Sequence, residues 1–321
     1  LSVILVLGFF VSPSKPKIAI LLCTYNGERF LQQQLDSFVS QTFADWDLWV
    51  SDDGSEDATL AILKRFQDKL GAGRVHILSG PQAGFARNFF SLIERVHNHY
   101  ALYAFSDQDD VWFEGKLSRA VATMFQASEG YDMYCSRSQL VDENGKVIGT
   151  TRQLRRAPSF RNALVENISC GNTIVITNAV KVSLQRETSV RSVRYHDWWI
   201  YIFVTATGGK IFFDDQYWIA YRQHAKNSVG LPHGILGIVD RVSRMLFGDF
   251  KNAIKGNLAA IQAISASALS TDSAQVLAHF VKGQSSSLTK RFQSIRDSKV
   301  YRQTLSGTLS LYYLILTNKL H

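Results

Sequence analysis

The stretch KIAILLCTYN, residues 17–26, confines the chain to a small set of architectures. It is a continuous apolar, partly β-branched run that stops at polar residues. A run without alternation is how a strand buried on both faces reads. The segments that follow extend the pattern. GERFLQQQLDSFVSQT puts Phe30, Leu31, Leu35, Phe38 and Val39 at helical spacing, and WDLWVSDDGS is a second strand stopping at a turn. DATLAILKRFQDKLG is a second helix, with Asp57 as its N-cap and Gly71 closing its end. VHILSG, GFARNFFSLIERVHN and YALYAFSDQDD continue as strand, helix and strand. That order predicts an α/β fold: a mostly parallel, Rossmann-like sheet with right-handed crossovers, flanked by helices.

In such sheets ligands gather outside the carboxyl ends of the strands. Those ends carry Thr24, Tyr25, Asn26 and Glu28 after the first strand, and Asp52 and Asp53 after the second. Asp107, Asp109 and Asp110 follow the fourth, inside FSDQDDVWF. A chain with 27 acidic residues in 321 has no compositional need to crowd three of them there. Like charges held close raise one another's pKa unless something positive neutralises them. A hard dication does so, since Mg²⁺ takes one or two protein carboxylates and completes its shell with water and phosphate oxygens. The competing reading is an acidic turn whose carboxylates face water.

Composition narrows the class. Hydrophobic content of 46% with 19% charged residues describes a folded chain, large enough for one big domain or two modest ones. The net charge of +8 is uneven: from residue 240 onward eleven Lys or Arg stand against four Asp. The surplus suits either solvated helix faces or peripheral contact with anionic lipid. A nucleic-acid partner is not expected, because the tail lacks the interleaved aromatics of a single-strand binder. Three cysteines without paired spacing argue against disulfides or zinc and suit a reducing cytosol, with Cys23 in the core. Residues 1–16 form an apolar leader whose eleven mostly apolar residues are too few to span a bilayer. No basic stretch precedes them, so they do not read as a signal peptide but as a short packing or membrane-surface segment.

After residue 130 the pattern changes. YDMYCSRSQLVDENGKVIG reads as two strands around the turn DENGK, and NISCGNTIVITNAV as a further strand region. HDWWIYIFVTATGGKIFFDDQYWIAYRQH gives a short helix, a turn, and one or two strands. Beyond about residue 235 the remainder is mostly helical, ending in LSLYYLILTNKL, which is expected to pack onto the domain. The organisation expected is a catalytic domain over 17–235, with a nucleotide-sugar half (17–130) and an acceptor half (131–235). A basic helical region follows over 236–321.

CTYNGERFLQQQLDSFVSQT, VSDDGSEDAT, GFARN and SDQDDVWFEGKL occur in order, each at a strand end or the start of the next helix. This succession resembles the family-2 glycosyltransferases, inverting enzymes of the GT-A fold that use nucleotide-sugar donors. The resemblance covers residues 17 to 225. HDWW and YRQHAKNSVG look most like bacterial rhamnosyltransferases of surface-polysaccharide synthesis, and the Q-x-x-R-W motif of chain-extending members is absent.

The resemblance implies roles. Thr24, Tyr25 and Glu28 line the nucleotide pocket, and Asp52 or Asp53 accepts the imide N–H of a pyrimidine base. Arg87 in GFARN binds the diphosphate through its planar fork of donors, against the alternative of a helix-surface arginine. Asp109 contacts the ribose and shares in metal binding, Asp110 binds Mg²⁺ or Mn²⁺, and Asp107 is an additional acid. Asp197 is the base that takes the acceptor hydroxyl's proton, against the alternative of a plain helix cap. His196 replaces the acid usual before it, and Trp198 or Trp199 limits water access and raises the pKa of Asp197. Asn172 in CGNT is a candidate sugar contact. Arg222 and His224 approach the diphosphate or metal, or serve only a loop. The implied donor is dTDP- or UDP-linked, possibilities that include dTDP-rhamnose, and the acceptor is a saccharide or lipid-linked saccharide at the inner face of the plasma membrane.

Three other readings compete. A nucleotidyltransferase would carry a Gly-rich, basic loop after the first strand, and CTYNGERF contains none. A Rossmann dehydrogenase would need G-x-G-x-x-G after a strand, which is also missing. A non-catalytic glycan- or membrane-binding module on a degenerate transferase fold is disfavoured because both Asp110 and Asp197 are present.

Overall fold

A computed structural model describes residues 16–126, 130–186, 193–224, 249–285 and 287–320. All but the last residue of the apolar leader, the end of YRQHAKNSVG and the expected boundary near 235 lie outside the described residues. Strands β1 (Ile18–Thr24), β2 (Trp46–Asp52), β3 (Val75–Ser79) and β4 (Leu102–Ser106) are parallel, in spatial order β3-β2-β1-β4. Helices α1 (Leu31–Val39), α2 (Thr59–Leu70) and α3 (Phe85–Arg95) make the crossovers. All seven residues of β1 are buried, as its unbroken apolar run predicts. Because side chains alternate along a strand, Ile18, Ile20 and Leu22 join one core with Leu31, Phe38 and Leu63. Ala19, Leu21 and Cys23 join the other, with Phe89 and Trp199.

The N-cap of α2 is Ala58, without a side-chain cap, and not Asp57, which stands one residue earlier and accepts from the Thr59 backbone N–H at 3.0 Å; Gly71 takes φ +93° just past the helix end. Beyond β4 the sheet becomes mixed. β8 (Val175–Thr177) runs antiparallel to β4, β6 (Met133–Val141) antiparallel to β8, and β9 (Ile211–Arg222) parallel to β6. A two-residue β5 (Val111–Trp112), not anticipated from the sequence, pairs with β9, and β7 (Val147–Thr150) hairpins onto β6 around DENGK. The register Val111↔Ala220 sets Asp110 beside the last residues of β9. The helices of this half are α4 (Lys116–Gln126), α5 (Phe160–Ala163), α6 (Asn178–Arg186) and α7 (His196–Ala206).

Among the described residues four C-terminal helices follow: α8 (Asp249–Ala263), α9 (Thr271–Val281), α10 (Leu288–Ser298) and α11 (Leu305–Leu316). Ile254, Leu258, Phe280, Leu311 and Ile315 share one hydrophobic core with Trp199 and Phe203 of α7. Polar ties reinforce it: Arg161 makes a two-pronged pair with Asp272 at 2.8 Å, and Gln303 Oε1 accepts from the backbone N–H groups of Arg155 and Arg156 at 3.0 Å. Among the described residues, no helix is long and apolar enough to cross a membrane.

Candidate active site

The carboxyl ends of β1 and β2 are tied to each other. Thr24 donates to Asp52 at 2.7 Å, and Asp52 also accepts from the hydroxyl and backbone N–H of Ser55, so this nearly buried carboxylate shapes the turn. Asp53 accepts from the backbone N–H groups of Gln82 and Gly84 at 2.6 and 3.1 Å and so positions the loop that leads into α3. Arg87, in the first turn of that helix, makes no hydrogen bond or ion pair among the described residues. Asn26 sits at φ +48°, where asparagine is tolerated, and accepts from the Glu56 N–H at 2.9 Å. Glu28 accepts from the Ala58 N–H at 2.9 Å. Tyr25 is 58% exposed, an aromatic face open to solvent at the mouth of the sheet. A hollow of about 560 Å³ lies beside it, lined by Asn26, Glu28, Arg29, Glu56 and Asp57.

The acid triplet divides by environment. Asp110 is fully buried: one oxygen accepts from the Asn172 amide at 2.5 Å, the other from the Arg222 backbone N–H at 3.0 Å. Burial, then Asp109 and Asp107, push its carboxyl well above the ordinary range. Asp109 is half-buried, and its Oδ2 lies 2.8 Å from Nε2 of His224. Asp107 makes no side-chain hydrogen bond among the described residues. Burial raises its pKa to about 8, with Asp109 and Asp197 adding to the effect. Arg222 braces the group from behind. Its Nε donates to the Asp109 carbonyl at 2.9 Å, its other nitrogens reach the Glu143 carbonyl and Gln33, and it lies over the Phe30 ring at 4.5 Å. Arg222 therefore faces protein on every side that these contacts define.

Asp197 stands in the first turn of α7, where the helix dipole favours a carboxylate. It accepts from the Trp198 N–H at 2.7 Å and from the Asn167 amide at 2.9 Å. Burial nonetheless lifts its pKa to about 6, against those hydrogen bonds. His196 and Trp198 turn inward instead. Trp198 donates to the Ala163 carbonyl at 2.7 Å. His196 stacks on Phe89 with ring centroids 3.9 Å apart, both ring nitrogens lack a hydrogen-bond partner among the described residues, and burial lowers its pKa to about 3. Burial and then Asp197, Asp110 and Asp107, in that order, push the Cys170 thiol up to about 12. The loop 167–173 is thus the place where the acids after β4 meet the acid at the start of α7.

Three participants escape a reading by residue type. Gln108, which looks like a spacer between acids, clamps Tyr25 from both sides: it accepts from the Tyr25 N–H at 2.9 Å and donates to its carbonyl at 3.0 Å. Gly27 leaves room for that clamp, since a Cβ there would sit 2.3 Å from Gln108 Oε1. Lys116 is fully buried, lies 3.6 Å above the Trp112 ring, and its Nζ has no hydrogen-bond partner among the described residues. Burial lowers its pKa to about 7, with Asp110 opposing the shift. The only advance signal for any of these was their position within the motif stretches.

Among the described residues, no group of three or more His, Cys, Asp or Glu side chains is placed to hold a metal ion by itself. An open site is a different matter. Asp109 and His224, a carboxylate oxygen and an imidazole nitrogen 2.8 Å apart, are donors that Mn²⁺ accepts together with phosphate and water, whereas Mg²⁺ prefers oxygen ligands alone.

A parallel half-sheet that continues through β4 and β8 into a mixed half, with acids at the junction, is the GT-A glycosyltransferase architecture. The fold compares with Staphylococcus aureus TarS in complex with UDP-GlcNAc at TM-score 0.53 and 13% identity, over 88% of this chain and 89% of that one. The mannosyltransferase PcManGT from Pyrobaculum calidifontis, in complex with GDP-Man and Mn²⁺, compares at TM-score 0.52 and 14% identity, over 96% and 89%. The chain belongs to glycosyl transferase family 2, whose family model matches residues 19–187, and it is accordingly a glycosyltransferase. It is 29% identical over 224 residues to the dTDP-rhamnosyl transferase RfbG of Shigella flexneri, covering 65% of this chain and 73% of RfbG. It is 24% identical over 182 residues to the Escherichia coli UDP-Glc:alpha-D-GlcNAc-diphosphoundecaprenol beta-1,3-glucosyltransferase WfgD, covering 56% and 68%.

Proposed function

We propose that the chain transfers a sugar, L-rhamnose from dTDP-rhamnose, with inversion onto a saccharide or lipid-linked saccharide during bacterial surface-polysaccharide synthesis. The observation that carries this reading is that the loop 167–173 holds an acid from each half: Asn172 donates to Asp110 at 2.5 Å and Asn167 to Asp197 at 2.9 Å. A donor-side acid and a separately held carboxylate are thereby tied to one short loop. The likeness to RfbG supports rhamnose in particular.

Tyr25 offers its exposed ring to the base, and Arg87 meets the diphosphate with donors that no group among the described residues occupies. Asp109 and His224 would hold the cation with Asp107 beside them. We assign Asp110, whose oxygens are both engaged, to bracing Asp109 rather than to the cation itself. Bound there, the cation would offset charge on the departing nucleoside diphosphate. Asp197, ionised above pH 6, accepts the acceptor hydroxyl's proton as its oxygen bonds to the anomeric carbon. The bond to the diphosphate breaks on the opposite face, so configuration inverts.

The test is a donor screen that follows nucleoside diphosphate release, with and without Mg²⁺ or Mn²⁺. Metal-dependent release from dTDP-rhamnose above all other donors is the expected result. Release that is indifferent to chelator, or fastest from a UDP-hexose, rejects the metal or the sugar respectively.

A further inference from the structure

Helix α10 is turned inside out. Its buried side chains are Ser294 and Ser298, while Leu288 and Phe292, one turn apart, are each 61% exposed. Ser294 packs inward because its hydroxyl donates to the Phe280 carbonyl at 3.0 Å and a small residue fits against Gly283. Helix α11 repeats the anomaly on one face. Leu311, Leu314 and Ile315 enter the core, while Leu305, Leu309 and Tyr313 form an i, i+4, i+8 stripe that is 73%, 59% and 55% exposed. A helix normally turns such a stripe toward its own protein. Five of the large exposed apolar side chains of the described chain thus lie on two successive, mutually packed helices.

Charge indicates what covers them. Residues 282–320 hold seven Lys or Arg and one acid, Asp297, which pairs with Arg296 at 2.7 Å. Lys319 lies 5.7 Å from the Tyr313 ring, which places a cation at the edge of the stripe. A second copy docking isologously would set this basic surface against itself, like charge on like. An anionic bilayer surface accepts both features at once: apolar side chains in the interface, cations on the headgroups.

We propose that the α10–α11 face docks onto anionic lipid. The consequence for catalysis rests on the reading of a lipid-linked acceptor. The segment between the two helices is bolted to the acceptor half: Asn162 donates to the Tyr301 carbonyl at 3.1 Å, and the Gln303 N–H donates to Glu166 at 2.6 Å. Glu166 adjoins Asn167, which holds Asp197. Docking through α10 and α11 therefore fixes the height of Asp197 above the membrane.

The experiment is co-sedimentation of the full chain, without donor or acceptor, with phosphatidylcholine vesicles and with phosphatidylglycerol-containing vesicles. The expected result is binding to the anionic vesicles that weakens with salt and falls about tenfold or more in L305Q/L309Q and, separately, in F292Q. Circular dichroism and nucleoside diphosphate release in solution should match the unmodified chain, which separates a docking defect from a folding defect. Equal binding to neutral vesicles, no binding, or variants that bind like the unmodified chain would overturn the proposal. So would a sedimentation-detected dimer that L305Q/L309Q dissolves while vesicles are ignored. Because the readout needs no turnover, its failure leaves the transferase reading standing, and failure of the donor screen leaves this one standing.

Discussion

Asn172 donates its side-chain amide to Asp110 at 2.5 Å across 62 residues of sequence, while the backbone of Arg222 serves the other carboxylate oxygen at 3.0 Å. One buried acid thereby joins the end of the parallel half-sheet, the 3₁₀ turn before β8 and the last residue of β9. The three segments are brought together by a carboxylate that cannot be left half satisfied.

Asn172→Ala removes one of those donors and strands an oxygen in a dry site. The expected cost is roughly 1–3 kcal/mol, read from urea denaturation, with a parallel loss of transferase rate. An unchanged midpoint would mean that Asp110 is protonated or that water replaces the amide.

Asp197→Asn should leave donor binding intact and lower the transfer rate by about 10² to 10⁴. In the unmodified chain the active form is the ionised one, so kcat/KM should fall as pH drops through about 6. The stability effect has the opposite sense. The folded pKa is raised, so the folded state holds the proton more tightly and stability contributed by this group declines as pH rises from its ordinary value of 3.8 to about 6. Thermal melts of the Asn variant should lack that decline.

Gly27→Ala would put a Cβ 2.3 Å from Gln108 Oε1, and the Gln108 clamp on Tyr25 must then swing away. Donor affinity should weaken, and Gln108→Ala should weaken it alike. The double variant should be no worse than either alone, because both remove the same clamp. Additive losses in a calorimetric titration would contradict this.

Lys116→Met tests a buried cation that packs on Trp112 and has no hydrogen-bond partner among the described residues. Its folded pKa of about 7 lies below its ordinary 10.5, so wild-type stability rises with pH between those values as the unfolded chain surrenders its extra proton. The Met variant should therefore gain most over wild type below pH 7 and lose that advantage toward pH 10. A gap constant with pH in denaturant melts would contradict it.

Asp109→Ala and His224→Ala should each abolish Mn²⁺ binding as detected by electron paramagnetic resonance in the presence of nucleoside diphosphate. Asp110→Asn should lower stability first and metal affinity only through Asp109. If Asp110→Asn alone eliminates the metal signal in a folded chain, the cation belongs on Asp110.

Much of this molecule is written in its local sequence pattern. The unbroken run Ile18–Thr24 and the helical spacing of Leu31, Leu35 and Phe38 gave the parallel half and its two cores, because burial on both faces leaves no polar position to interrupt a strand. The same alternation put Thr24, Asp52 and Asp107 at one rim, since parallel strands present all their carboxyl ends together. Local pattern could not reveal which acids face outward. Asp109 and Asp110 are neighbours of one type, yet one meets His224 and the other is sealed by Asn172 and Arg222. That division depends on β9 returning beside β5, a pairing of residues more than a hundred positions apart. For the same reason the inward turn of His196, the Gln108 clamp and the outward stripe on α11 were settled only by tertiary packing: sequence determines which faces an element can offer, and the assembled neighbours decide which of them is covered.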